Sequence, residues 1–132
     1  MSQEFFWLAL TVAMTGLIWV PYILDRIATR GLMATLGNPG PELPAQSGWA
    51  ERMKAAHYNA VENLVIFAPL VLMLHALNIS TAATVAAAAT YFWARLIHLV
   101  VYTMGLPVVR TLAFAVGFLA QAVLLLAVFG VM

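Results

Sequence analysis

Four apolar runs, at about residues 5 to 25, 56 to 77, 81 to 103 and 108 to 131, alternate with three connectors of a different character. Each run is near the roughly 20 residues that a helix needs to cross the hydrocarbon of a bilayer. Helices are the expected form, because an open strand cannot satisfy its backbone in lipid. The first connector, Gly31 to Gly48, reads GLMATLGNPGPELPAQSG and carries four Gly and three Pro, a composition that breaks helices and makes turns. The second, around Leu77 to Thr81, is short, and Ser80 or Thr81 can cap the helix that follows. The third pairs Gly105, suited to a helix end, with Pro107, suited to the first turn of the next helix. Short links make neighbours antiparallel, so the pattern predicts an all-α, up-down-up-down transmembrane four-helix bundle over residues 1 to 132. Phe5, Phe6 and Trp7 at one end of the first run, and Trp19 and Tyr22 at the other, suit an interfacial belt. Pro69 predicts a kink inside the second run.

Composition sharpens this picture. Of 132 residues, 64% are hydrophobic and 8% charged, against about 25% charged in soluble domains. The chain is therefore expected in a lipid bilayer. Six scattered basic residues make no phosphate-tracking stripe, so nucleic acid is not an expected partner. There is no cysteine, which removes disulfides, thiolate metal sites and a cysteine nucleophile. The three histidines are too dispersed for a metal site. Glu4 stands where a signal peptide would carry basic residues, so the first run is read as a span. Arg26, Arg30, Arg52, Lys54 and Arg110 cluster at the first and third connectors, with Arg95 in the nearer half of the third run. By the positive-inside rule those connectors are cytoplasmic and the termini lie opposite.

The polar residues inside the runs carry the candidate chemistry. An ionisable group at membrane depth is a functional-site hypothesis by default. Counting about 1.5 Å per residue, Glu62 and Arg95 lie roughly 15 and 12 Å from the same face, which predicts an ion pair between antiparallel neighbours. Asn59 and Glu62 are three apart and share a helix face; Arg95, His98 and Tyr102 form a stripe at i, i+3, i+7. Arg110, in the first turn of the fourth helix, reaches the rim. The expected result is a polar funnel lined by arginine, a residue suited to gripping carboxylates. His57 and His75 are read as structural or solvated, and Gln121 as bonded to a neighbouring helix.

Glu51, Arg52, Ala56, His57, Asn59 and Glu62, with Arg95, His98, Tyr102 and Arg110, resemble the MAPEG superfamily of membrane proteins in eicosanoid and glutathione metabolism, as a bacterial-type member. The resemblance implies a homotrimer in an inner membrane, with glutathione as co-substrate bound between subunits near the cytoplasmic side. It assigns Asn59 and Glu62 to the peptide and amino group of glutathione, and Arg95, His98 and Tyr102 to its surroundings. Arg26 is assigned to a glutathione carboxylate, and Arg110 is the catalytic residue that steadies the thiolate. A transferase or peroxidase acting on hydrophobic small molecules dissolved in the bilayer is the activity so implied. Ala55 and Tyr58 replace arginines found in some enzymes of the family, which keeps a non-catalytic binding protein as the alternative. A small proton-coupled transporter using Glu62 is the third reading, opposed by Arg95 at the same depth.

Overall fold

The computed structural model describes residues 1–131, and no strand occurs among them. The described residues form six helices: α1 (Gln3–Leu17), α2 (Trp19–Arg30), α3 (Leu32–Leu36), α4 (Gly48–Ala76), α5 (Ala82–Met104) and α6 (Pro107–Val128). Taken together, α1 and α2 form one rod, and this rod, α4, α5 and α6 are the four helices long and apolar enough to cross a membrane. The chain is an integral membrane protein with an up-down four-helix layout. Its perimeter is correspondingly greasy: Val65, Leu112 and Phe118 are 68%, 62% and 57% exposed, which only a hydrocarbon surround makes inexpensive.

Three features of the helices have local causes. The rod breaks at Ile18 because Pro21 has no N–H to give the Leu17 carbonyl and its ring crowds that carbonyl. Helix α5 starts from a reciprocal capping box, in which Thr81 Oγ1 accepts from Thr84 N and Thr84 Oγ1 accepts from Thr81 N. Between α5 and α6, Gly105 takes the left-handed conformation (φ 79°, ψ 32°) and Pro107 opens the next helix. In α4, Pro69 sits inside an uninterrupted helix.

The expected start of the second run at residue 56 is corrected to Gly48. Its first two turns, with Glu51, Arg52 and Lys54, are too polar for a hydropathy window, yet they continue the same helix. At 29 residues α4 is roughly 44 Å long, well beyond the ~30 Å hydrocarbon, so these turns project into the interface. The first connector is likewise more ordered than its Gly and Pro content suggests, since it holds α3.

Helix α1 packs on α4 and α5, α2 on α4, and α6 on α5 and α4. The larger core gathers Leu8, Phe67, Leu70, Leu74, Tyr91 and Leu124 at the end holding the N-terminus. Phe67 and Tyr91 stack there at 3.8 Å between ring centroids. A smaller cluster, Ile18, Tyr22, Ala50 and Ala60, joins the rod to α4 toward the first connector. Between these apolar layers lies the polar one.

Candidate functional site

Helices α4, α5 and α6 bring six side chains to one open recess of about 230 Å³: Asn59, His98, Tyr102, Arg110, Thr111 and Phe114. Each arrives by helical spacing. His98 and Tyr102 are four apart on α5 and meet edge-on, their ring centroids 5.5 Å apart. Arg110, Thr111 and Phe114 come from the first two turns of α6, placed there by the Gly105 and Pro107 turn. The Arg110 guanidinium lies 4.3 Å from the centre of the Tyr102 ring, a cation–π contact that holds the charge at the rim.

Behind the recess stands Arg95, only 2% exposed. Its Nη2 donates to Asn59 Oδ1 at 2.6 Å and to His98 Nδ1 at 3.5 Å. Asn59 is tied in turn to Asn63, whose amide donates to the Asn59 carbonyl at 2.8 Å. Gln121, from α6, donates to the Asn63 carbonyl at 3.0 Å, which is the interhelical bond expected of it. A polar layer therefore runs from Arg110 at the rim to Gln121 in the bundle. Within it Arg95 Nε and Nη1 and the Tyr91 hydroxyl are buried with no hydrogen-bond partner among the described residues.

The expected Glu62–Arg95 ion pair is corrected. Arg95 spends its one engaged nitrogen on Asn59 and His98, while Glu62 is exposed on the outside of α4. The reason is angular: three residues along a helix turn the side chain by about 60° from the starting direction, and Asn59, not Glu62, faces α5. Depth was a sound guide and azimuth was not. Arg26 also lies apart from the recess, where its Nε and Nη2 donate to Gln46 Oε1 at 3.2 Å. His57 is tied to Tyr22, its Nδ1 2.8 Å from the hydroxyl, and the exposed His75 rests 4.3 Å from the Phe5 ring.

Sequence reasoning placed Asn59, His98, Tyr102 and Arg110 around one opening, and it missed Thr111, Phe114 and Asn63. Thr111 and Phe114 follow Arg110 by one and four residues, and Asn63 follows Asn59 by four. The same helical arithmetic applied outward from the chosen residues finds all three.

Two further residues hold the frame of the site. Arg52 Nε donates to the Thr103 carbonyl at 2.9 Å and packs against Gly105, where a Cβ would lie 3.3 Å from that nitrogen. The projecting start of α4 is thus clamped to the turn that delivers Arg110. Glu4, 3% exposed, accepts from Thr84 Oγ1 at 2.7 Å and from Ser80 Oγ at 2.9 Å. It fastens α1 to the N-terminus of α5 at the opposite end of the bundle, where the helix dipole favours an anion.

A family model described as the MAPEG family matches residues 5–130 of the chain. No curated protein and no solved structure matches it.

Proposed function

Because the chain belongs to the MAPEG family, we propose that it is a glutathione-dependent membrane enzyme of the transferase or peroxidase type, activating a thiol for attack on lipophilic electrophiles. The observation that carries this reading is the convergence of Asn59, His98, Tyr102, Arg110 and Thr111 on one recess at the start of α6. The donor set suits a ligand that is part peptide and part anion. Asn59 offers an amide to the peptide, and Glu62 of a neighbouring subunit takes the amino group. Arg26 takes a carboxylate from the far side of the opening.

Arg110 and the free N–H groups of the first turn of α6 are two positive influences on the sulfur. A thiol reacts as its anion, and an adjacent guanidinium favours that anion. The thiol proton leaves to water, and the sulfur electron pair then forms the new S–C bond while the electrophile's leaving group departs with its own pair. The second substrate partitions in from the bilayer.

A recess of about 230 Å³ falls short of the roughly 300–1,000 Å³ usual for ligand pockets. A homotrimer supplies the missing wall: Glu62 and Arg26 lie outside the recess of their own chain and complete that of a neighbour. The basic residues at the first and third connectors support an orientation with that end in the cytoplasm, and the proposed setting is a bacterial-type inner membrane.

The test is a calorimetric and ultraviolet titration of the purified protein with glutathione. Wild type should bind and show thiolate absorbance near neutral pH. Arg110→Ala should move that absorbance to higher pH and weaken binding much less, since it removes an interaction made mainly to the charged form. Glu62→Ala should abolish binding. Absence of wild-type binding rules out glutathione, and binding without a thiolate signal selects the non-catalytic reading, which Ala55 and Tyr58 favour by withholding two guanidinium groups from the entrance.

A further inference from the structure

The first connector keeps large apolar side chains where a loop in water would not. Helix α2 ends at Arg30, and Gly31, with φ 84° and ψ 160°, turns the chain into α3. Glycine alone reaches that conformation cheaply, so the change of direction is written into the sequence. The single turn is closed at both ends: the Gly31 carbonyl accepts from Thr35 N and Oγ1, and Gly37 N donates to the Met33 carbonyl. Leu32 and Leu36 are four apart with Met33 beside them, so the three share one side. They are 55%, 71% and 80% exposed in the order Leu32, Leu36, Met33.

The polar part of the same connector is fastened inward. Arg30 Nε donates to the Pro44 carbonyl, the Gln46 amide to the Tyr22 carbonyl, and Ser47 N to Asp25. A connector free to choose would bury its leucines and wet its glutamine. This one exposes Leu32 and Leu36 and buries Gln46.

Two observations say what covers the apolar side. Helix α3 begins two residues after a rod long and apolar enough to span the membrane, and the last turns of that rod carry Asp25, Arg26 and Arg30, which puts α3 at the level where the span leaves hydrocarbon. The same end of the molecule carries Arg26, Arg30, Arg52, Lys54 and Arg110 against Asp25, Glu42 and Glu51, a positive balance matching anionic headgroups. An apolar turn flanked by basic residues is the make-up of an interfacial segment.

We propose that α3 is an interfacial foot, with Leu32, Met33 and Leu36 seated at the headgroup and acyl boundary of the bilayer. The foot sets the height of the connector against the membrane. Through Ser47, bonded to Asp25 and placed at the N-cap of α4, it also sets the height at which α4 enters.

The chain has no cysteine, so Met33→Cys and Leu36→Cys each give one nitroxide-labelled position in an otherwise native protein. Both side chains are exposed, so the fold does not depend on either. In nanodiscs of mixed zwitterionic and anionic phospholipid, accessibility to oxygen and to a water-soluble nickel chelate is read by paramagnetic resonance. Glu42→Cys, on the same connector, serves as the aqueous reference and a doxyl phospholipid as the bilayer reference. Labels at 33 and 36 should follow the lipid reference, with nickel access several-fold below that at 42. Nickel access equal to that at 42 overturns the proposal. Shielding from both reagents overturns it too, because it places α3 against protein.

Discussion

At the scale of single residues, the central fact is a buried guanidinium without a carboxylate. Arg95 has one strong side-chain partner, the neutral Asn59 oxygen, and two nitrogens with none. Removing the partner of a buried charge is costly, whereas supplying a counter-charge is not. Asn59→Leu should therefore destabilise the protein by about 3 kcal/mol, while Asn59→Asp should equal or exceed wild type, as read by thermal unfolding in detergent. Glu62→Gln, on a face that the proposed assembly shields from lipid, should change stability by about 0.5 kcal/mol or less. A loss for Glu62→Gln as large as that for Asn59→Leu would mean that Glu62 reaches a buried cation after all, in a neighbouring chain. The same residue thus separates a structural from a ligand-binding role: its loss should be felt by the titration with glutathione and not by the melting curve.

At the scale of helices, two contacts decide how the elements sit. Glu4 receives hydroxyls from the exposed Ser80 and the buried Thr84, so Glu4→Ala takes the acceptor from one buried donor and should cost about 1 kcal/mol. The loss should appear first as fraying of the α1 and α5 ends, measured by hydrogen exchange, with the α6 start unaffected. Gly117 lies on the face of α6 that meets α5: a Cβ there would lie 3.6 Å from Arg95 Cδ, 3.8 Å from Ala94 Cβ and 3.9 Å from Tyr91 Cδ2. Those are ordinary contacts, so Gly117→Ala should fit and raise stability by up to about 1 kcal/mol through helix propensity. Gly117→Leu must push the helices apart and should lower it by about 1–3 kcal/mol. A destabilised Gly117→Ala would show that the α5 and α6 backbones are closer than these distances state.

At the scale of the whole molecule, the perimeter is apolar but not uniform. Glu62 and Tyr58 are exposed on α4, and a charged residue facing hydrocarbon at the helix centre costs about 2.5–3.5 kcal/mol on insertion scales. An assembly that covers this face removes the cost. Native mass spectrometry from gentle detergent should therefore show a trimer, and Glu62→Leu should leave the trimer intact while abolishing glutathione binding. Monomer as the sole species would leave Glu62 in lipid and remove the neighbour on which the proposed site depends.

The sequence by itself determined the environment, the number of spans, their antiparallel order, a cap at Ser80 or Thr81, the helix start at Pro107, and most of the recess. These follow from hydropathy and from spacing along one helix, which are properties of consecutive residues. It also carried the family, since the residues at 51 to 62 and 95 to 110 are recognisable in order. The tertiary structure alone decided which way each helix is turned about its axis. That rotation gave Asn59 to Arg95, sent Glu62 outward, aimed Glu4 at Thr84 and set Arg52 against Thr103. Depth along a helix is fixed by counting, but azimuth is fixed by how three neighbouring helices pack at once. No periodicity within a single helix contains that information.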